Sequence, residues 1–429
     1  MIQRQTLKAL FLILIIFSFI SCGQKNKQCV IKGDVIGRES ETLLLYKASE
    51  DCRDYNIEIP IINNSFEYVM IVSHPEVYEL VFKEEHDRGS FFRNSFFVKE
   101  GEVKFTLYAE KDEDNNLFVG NNLNDNLNGF NQTQFKKFWS EIYKYNDSLD
   151  LLDEKGSLYS SEWINLVKKL AENKDEKLKK RLFSEQRYLR NTGLMYSVEG
   201  RKYQEKQDSI IDEMMLWEYN YIKENTSLLS YYLFMRDIQN HSKSCCWKEG
   251  DTALMNAAQI NFQRLSSEYP DHPYSSIVKD LLEGLKNIHE GGMFIDFSAP
   301  DINGENILLS SVINNNKVVL LDLWSTWCSP CIKKSREMVP MYEEFKNLGF
   351  EIVGVTRGYG DADNLNKSIK KENYPWINII DKDNQNRVWE KYSISNRGGG
   401  TFLITSSGKI IAIDLSAVEV KQKLTELLQ

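Results

Sequence analysis

The feature that most constrains the fold is an apolar run that leads into two cysteines three residues apart. Val318–Leu321 is rich in β-branched residues and predicts a buried strand. The turn after it has the sequence Trp327-Cys328-Ser329-Pro330-Cys331. We predict that this turn delivers both cysteines to the start of a helix, so that a pair of thiols lies where a buried strand meets a helix.

This placement has chemical consequences for the two thiols. The unpaired N–H groups and the positive dipole end of a helix N-terminus favour a thiolate, so the pKa of Cys328 should be lowered. Cys331 follows one turn later, close enough to close a disulfide and facing the protein interior. The spacing therefore predicts that Cys328 attacks disulfides and that Cys331 resolves the intermediate.

Two other interpretations of the cysteine pair are weighed against redox chemistry. A structural zinc ion needs about four ligands, but residues 290–429 contain no further cysteine and no histidine, the last histidine being His289. We therefore expect no metal and no other cofactor. A purely structural disulfide stays open, although a bond that closes so short a loop restricts the unfolded chain little.

The segment from Val319 to Cys331 resembles the active-site strand and turn of the thioredoxin superfamily, nearest to its membrane-associated TlpA/ResA branch. Phe297–Asp301 and Gly349–Val355 resemble the entry segment and the next strand of that branch. The resemblance covers about residues 290–429. It implies an α/β thioredoxin-like domain, with a central mixed sheet flanked by helices, that acts as a thiol-disulfide oxidoreductase on disulfide-containing client proteins and is recharged by an inner-membrane electron donor.

The resemblance also implies roles for two positions outside the turn. Asp322 lies six residues before Cys328, where thioredoxins place a buried carboxylate, and such a carboxylate should have a raised pKa and accept the proton of Cys331. The family's cis-proline loop falls on Gly398–Gly400, with Gly399 as the equivalent, because the last proline of this chain is Pro375. We expect this glycine loop to be trans and more mobile than its proline counterpart.

Departures from related families bear on the direction of the chemistry. Thiol peroxidases of this superfamily have a proline and a threonine where this chain has Leu321 and Ser325, which leaves a peroxidase as an alternative. The dipeptide Ser329-Pro330 lacks the histidine of strong oxidants and favours a reductase or an isomerase. A partner-binding lipoprotein with a regulatory redox motif is the non-enzymatic alternative.

The region upstream of residue 290 predicts two further domains. With 429 residues, the chain is too long for one ordinary core. Residues 22–115 show period-two patterns, with Ile57, Ile59 and Ile61 in one segment and Val103, Phe105 and Leu107 in another, and predict a small antiparallel β-domain. Residues 125–288 are predicted to be helical, because Trp163, Leu166, Val167 and Leu170 recur at helical spacing and no proline occurs between Pro75 and Pro270.

The N-terminus predicts export and a lipid anchor. Residues 1–21 have basic residues before an apolar run too short to span a bilayer, as in a secretory signal peptide. Phe19–Cys22 resembles a bacterial lipobox, which implies that Cys22 is lipidated and holds the protein on a membrane of the cell envelope, either the outer membrane facing the periplasm or the cell surface. The net charge of −9, without a basic cluster, argues against a nucleic-acid partner.

Four cysteines remain beside Cys22 and the predicted redox pair. Cys29 and Cys52 are interpreted as a structural disulfide, with small core residues as the alternative. Cys245 and Cys246 are adjacent; they could form a strained disulfide, receive electrons from the redox pair, bind a soft metal, or have no role.

Overall fold

The computed structural model describes residues 27–53, 57–240, 252–358, 367, 369–394 and 397–429. Contacts divide the chain into two units. The larger unit comprises the N-terminal segment up to residue 124 together with residues 235–256 and 270–429. The smaller unit comprises residues 125–234 and 257–269.

The N-terminal part of the larger unit consists of β-strands that form two four-stranded sheets in the described chain, with the orders β4-β1-β7-β8 and β3-β2-β5-β6. The strands are β1 (Gln28–Ile36), β2 (Thr42–Lys47), β3 (Ile57–Pro60), β4 (Ser65–Ile71), β5 (Glu76–Phe82), β6 (Asn94–Val98), β7 (Gly101–Tyr108) and β8 (Leu117–Val119), and the short helix α1 (Lys83–Arg88) follows β5. Asn63 and Asn64 have φ angles of 53° and 60° and form the tight turn between β3 and β4.

The period-two pattern of β7 produces the expected burial, but one strand pairing differs from the prediction. Val103, Phe105 and Leu107 are fully buried, whereas Lys104 between them is exposed. All pairings in these sheets are antiparallel except β1 with β7, which is parallel. The long excursion through β2 to β6 carries the chain back to the edge of β1 in the same direction, and short-range alternation does not encode such a return.

The smaller unit is helical, and three of the helices listed below include residues that belong to the larger unit. The helices are α2 (Asn122–Gln134), α3 (Ser140–Glu154), α4 (Ser161–Glu172), α5 (Glu176–Asn191), α6 (Val198–Glu224), α7 (Leu228–Asn240) and α8 (Thr252–Glu268). Ser160 caps α4, since its side chain accepts a hydrogen bond from the N–H of Trp163. Trp163 and Leu166 are buried, but Val167 is 41% exposed, so the apolar stripe predicted for this helix is narrower than expected.

The C-terminal part of the larger unit is built on a five-stranded mixed sheet with the order β13-β12-β11-β14-β15. The elements are α9 (Pro273–Asn287), β9 (Ser298–Pro300), β10 (Asn306–Leu308), α10 (Leu309–Asn314), β11 (Val318–Trp324), α11 (Ser329–Phe345), β12 (Phe350–Gly358), β13 (Ile377–Lys382), α12 (Val388–Lys391), β14 (Gly399–Thr405), β15 (Ile410–Ile413) and α13 (Ala417–Leu428). Strands β11, β12 and β13 are parallel, and β14 is antiparallel to its neighbours β11 and β15.

The burial of the central strand β11 explains why residues 318–324 are so apolar. All seven of its residues are buried. Alternate side chains enter two different hydrophobic clusters: Leu321 packs with Trp389 in one, and Leu320 packs with Phe345 of α11 in the other. A strand covered on both faces needs a nearly continuous apolar sequence. The burial of β11 on both faces and the mixed sheet around it confirm the expected α/β fold.

Across the ranges described above, no helix combines the length and the apolar character that a membrane span requires.

Candidate active site

The two predicted redox cysteines lie where β11 passes into α11. Cys328 is the N-cap residue of α11, and Pro330 occupies its first turn, where a missing N–H costs no hydrogen bond. Cys328 and Cys331 are joined in a disulfide, with their Cα atoms 5.3 Å apart. The backbone N–H of Cys331 donates to Cys328 Sγ at 3.3 Å, so the helix start provides a donor to the sulfur that the sequence predicts to attack.

The exposure of this turn differs in one respect from the prediction. Ser329 and Pro330 are exposed and Trp327 is half-buried. Cys328 is only 9% exposed, whereas Cys331, expected to face the interior, is partly exposed while packing against the hydrophobic cluster around α11. The greater burial of Cys328 follows from two neighbours, the Trp327 ring and the glycine loop.

The glycine loop faces both sulfur atoms of the disulfide. A Cβ atom on Gly398 would stand 2.9 Å from Cys328 Sγ and 2.9 Å from the Trp327 ring. A Cβ atom on Gly399 would stand 3.1 Å from Cys331 Sγ and would clash with the carbonyl oxygen of Leu323. Only glycine allows the backbone to approach the Cys pair this closely.

The glycine loop places two residues against the disulfide, whereas sequence reasoning singled out one. Gly399 lies beside Cys331, and Gly398 lies beside Cys328. The run of three glycines was the available signal for a close approach by the whole loop. The described peptide bonds, which include those of residues 397–400, are all trans, in agreement with the expectation for a loop without proline.

Asp322 lies in the middle of β11, where it is 1% exposed. Its Oδ2 atom accepts a hydrogen bond from Ser335 Oγ at 2.6 Å, and its Oδ1 atom has no hydrogen-bond partner in the described chain. Burial raises the pKa of Asp322; the Ser335 hydrogen bond and the positive charge of Lys334 oppose that rise only in part. The carboxyl group is thus able to take up a proton at a higher pH than an exposed aspartate.

Ser335 connects this carboxyl group to the cysteine pair and was not predicted from the sequence. Its Oγ atom lies 2.6 Å from Asp322 Oδ2 and 3.0 Å from the carbonyl oxygen of Cys331. Lys334 Nζ donates to Thr401 Oγ1 at 3.2 Å, and Thr401 is the partner of Asp322 in the pairing of β11 with β14. The position of Ser335 one helical turn after Cys331 was a usable signal, because such residues lie on the same helix face.

Other predicted residues fall outside this cluster. Leu321 and Ser325, which stand at the peroxidase positions, are both buried. Cys29 and Cys52 are not joined in a disulfide, so the predicted pair is wrong. Cys29 is fully buried on β1, and Cys52 packs against a separate cluster that contains Leu44, Tyr46 and Val81, so each acts as a small core side chain.

Some predictions concern residues outside the described ranges. These are the signal peptide, Cys22, Cys245 and Cys246. Over the part of the chain that the structure describes, no group of three or more His, Cys, Asp or Glu side chains is arranged to hold a metal ion.

The mixed sheet, the cysteine pair at the start of α11 and the buried Asp322 beneath it define a thioredoxin-like domain. Residues 291–413 match the model of the AhpC/TSA family. The thiol-disulfide oxidoreductase ResA of Bacillus subtilis is 35% identical over 140 residues, which are 32% of this chain and 74% of ResA. ResA of Bacillus thuringiensis is 28% identical over 31% of this chain and 73% of its own length.

A solved structure, the thioredoxin domain of a thiol-disulfide oxidoreductase from Bacteroides vulgatus, aligns with 33% of this chain and all of its own length, at 25% identity and a TM-score of 0.30. The identity and coverage of the Bacillus subtilis relative establish that the chain belongs to the ResA family of thiol-disulfide oxidoreductases. The protein is therefore an enzyme of thiol-disulfide exchange, and the shared region is its C-terminal third.

Proposed function

We propose that the protein reduces disulfide bonds of client proteins in the cell envelope through the Cys328/Cys331 pair. The observation that carries this proposal is the disulfide across the first turn of α11, with the Cys331 N–H aimed at Cys328 Sγ. A donor at that sulfur stabilises the thiolate of the reduced enzyme, and the thiolate is the attacking species in exchange.

The proposed cycle conserves atoms and electrons. The Cys328 thiolate attacks one sulfur of the client disulfide, the other client sulfur leaves as a thiolate, and a mixed disulfide forms. Cys331 then loses its proton and attacks Cys328 Sγ, which releases the second client sulfur and closes the disulfide of the enzyme. The client gains two electrons and the enzyme pair loses two, so a dithiol donor at the inner membrane must reduce the enzyme again.

Asp322 is the proposed acceptor of the Cys331 proton. The support is its full burial, its raised pKa, and the Ser335 hydroxyl that lies within hydrogen-bonding distance of both Asp322 and the Cys331 carbonyl oxygen. A base that is desolvated and held next to the helix start can take the proton as Cys331 attacks and return it later. The dipeptide Ser329-Pro330 supports reduction or isomerisation rather than oxidation, because it lacks a histidine that would stabilise the thiolate further.

A disulfide-reduction assay tests this function. Cys328→Ala should lower the rate by about 10³-fold or more, since it removes the nucleophile. The matched control is Cys29→Ala, the same substitution at a buried cysteine on β1, and its rate should stay within about twofold of wild type. Unchanged activity in Cys328→Ala would show that exchange does not occur at this pair.

The envelope location is proposed from the N-terminal sequence. Phe19–Cys22 has the form of a lipobox, and acyl chains on Cys22 would hold the protein on the membrane. Cells grown with labelled fatty acid should incorporate label into the wild type and the Cys29→Ala control, but not into Cys22→Ala. Label retained in Cys22→Ala would contradict the anchor.

A thiol peroxidase is a second candidate because residues 291–413 match the AhpC/TSA family model. The residues at the two peroxidase positions, Leu321 and Ser325, argue against it. Hydrogen peroxide consumption much faster than the reduction of protein disulfides would favour the peroxidase.

A further inference from the structure

A turn of the N-terminal sheets reaches the active-site tryptophan within the larger unit. The Cζ atom of Arg53 lies 4.0 Å from the centroid of the Trp327 ring. This distance is well inside the range of a cation–π contact, and an arginine in that position restrains the ring as well as placing a positive charge on its face. The residues that form the turn are Asp51, Cys52 and Arg53.

Asp51 fixes the guanidinium group of Arg53 in this position. Arg53 Nε donates to Asp51 Oδ1 at 2.8 Å, Arg53 Nη2 donates to Oδ2 at 2.6 Å, and the Arg53 backbone N–H donates to Oδ1 at 3.0 Å. A bidentate pair of this kind sets the plane of the guanidinium as well as its location. The turn therefore presents Arg53 in a defined orientation.

A second arginine anchors the turn to the mixed sheet. Arg357 on β12 donates from Nη2 to Asp51 Oδ2 at 3.1 Å, and both side chains are 2% exposed. Burial alone would raise the pKa of Asp51, but the Arg53 hydrogen bonds and the charge of Arg357 hold it below its ordinary value. Because Asp51 stays charged between two arginines, the three groups together carry one net positive charge.

The Trp327 ring, which contacts Arg53, also lies beside the cysteine pair. The ring edge and Cys328 Sγ each lie 2.9 Å from the point where a Cβ atom on Gly398 would stand, so ring and sulfur are neighbours. The Arg53 guanidinium and Cys328 Sγ therefore both lie next to the half-buried Trp327 ring. A fixed cation close to a cysteine favours its thiolate over its thiol.

We propose that Arg53 is a positioning residue of the active site, which holds the Trp327 ring beside Cys328 and favours the thiolate of that cysteine. The N-terminal sheets thereby contribute a wall of the active site through one turn. This inference rests on the proposed exchange at Cys328 and adds to it a residue that lies outside the region shared with the ResA proteins.

Alkylation kinetics and a glutathione equilibrium test the proposal. In Arg53→Met, the midpoint of the Cys328 alkylation rate should move to higher pH, and the rate below that midpoint should fall about threefold. The reduced form becomes less favoured, so the equilibrium constant for reduction by glutathione should also fall about threefold. Arg53→Lys keeps a cation without the planar fork and should recover at least half of both changes.

The matched control is Arg93→Met, the same substitution at another arginine of the N-terminal sheets. Arg93 lies over Phe91 at 5.2 Å and pairs with Glu79 at 3.4 Å, so its loss changes the net charge equally and removes an arginine that lies over a different aromatic ring. Every variant keeps the other charged groups of this region, which are Asp322, Lys334, Asp51, Arg357 and Arg397, the last paired with Asp414.

The outcomes separate this inference from the proposed function. An Arg53→Met protein that folds, exchanges disulfides and keeps the wild-type midpoint and equilibrium constant would overturn the role of Arg53 alone. An equal shift in Arg93→Met, or a lysine variant that behaves like the methionine variant, would also overturn it. A wild-type protein without exchange activity would instead refute the proposed function. Because the Arg53 side chain is 43% exposed, the methionine variant should retain its fold, which a thermal melt verifies.

Discussion

Asp322 and Asp51 are two buried aspartates of the larger unit whose pKa values are shifted in opposite directions. They are 1% and 4% exposed, respectively. Burial raises the pKa of Asp322, which receives one hydrogen bond, from Ser335. Burial acts on Asp51 in the same direction, but Arg53 and Arg357 reverse the outcome and lower its pKa. The cations in contact with each carboxyl group, rather than its burial, decide the direction in which its pKa is shifted.

The difference between the two sites corresponds to different tasks. Asp51 is held ionised at the centre of an ion-pair network, where it joins a turn to β12. Among the described residues, the Oδ1 atom of Asp322 has no hydrogen-bond partner and no arginine pairs with the carboxyl group, which fits the proposed gain and loss of its proton during the reaction. Perturbed groups next to a reactive pair are candidates for proton transfer, whereas those in closed networks are structural.

The largest expected effect comes from breaking the Asp51 network. Asp51→Ala leaves Arg357 buried without its carboxylate partner and should lower the free energy of unfolding by about 3 to 5 kcal/mol, measured by urea titration at pH 7. The control Asp34→Ala removes an exposed carboxylate of β1 and should cost less than about 1 kcal/mol. Equal losses in the two variants would contradict the network.

The pH dependence of this loss has a definite sign. A carboxyl group with a lowered pKa stabilises the folded state above its ordinary pKa of 3.8, and that contribution disappears as the pH falls through the lower, folded-state value. The difference in stability between wild type and Asp51→Ala should therefore be constant near neutral pH and shrink in strong acid. A difference that grows on acidification would be inconsistent with a charged Asp51.

A smaller, kinetic effect is expected for Asp322. Asp322→Asn removes the proposed proton acceptor and should slow the release of the client from the mixed disulfide by about 10- to 100-fold, measured by rapid-quench kinetics. The control Asp381→Asn changes another fully buried carboxyl group, on β13, whose partners are Asn386 and Val388. Equal slowing in both variants would indicate a general loss of packing instead of lost proton transfer.

The contribution of Asp322 to the free energy of unfolding should change with pH in the direction opposite to that of Asp51. A carboxyl group with a raised pKa contributes stability fully below its ordinary pKa of 3.8 and loses it as the pH rises through the folded-state value. Asp322→Asn removes this dependence, so the variant should gain stability relative to wild type as the pH rises. A constant difference across that range would contradict a raised pKa of Asp322.

The smallest effect is expected for Ser335. Ser335→Ala removes the hydrogen bond that opposes the burial of Asp322, so the pKa of Asp322 should rise further and the lower limb of the pH–rate profile should move to higher pH. The loss of stability should be about 1 kcal/mol. Ser406→Ala, at an exposed serine after β14, should leave the profile unchanged; a shift in that variant would show that the method is not specific for the site.

The sequence predicted the parts of the structure that depend on local order. The apolar run of β11, the helix start at Cys328 and the alternation of Val103, Phe105 and Leu107 all follow from neighbours along the chain. Asp322 and the glycine loop were found through family resemblance. The disulfide predicted between Cys29 and Cys52 was wrong, because buried cysteines also serve as small apolar residues.

The sequence could not predict contacts that depend on distant segments. Asp51 and Arg357 are 306 residues apart, and neither lies in a recognisable motif. The parallel pairing of β1 with β7 likewise depends on where the chain returns after β6. Charged residues such as Arg53 occur throughout a surface, so nothing in the local pattern distinguishes the one that lies on Trp327.

The most direct test of the central claim is to trap the mixed disulfide. Reduced Cys331→Ala, which lacks the resolving thiol, is mixed with a client peptide that contains a disulfide, and the adduct is located by peptide mass spectrometry. We predict a stable adduct at Cys328 in the Cys331→Ala protein. In the Cys328→Ala protein we predict no adduct at Cys331. An adduct at Cys331 in the Cys328→Ala protein, with none at Cys328 in Cys331→Ala, would contradict the assignment of Cys328 as the attacking thiol.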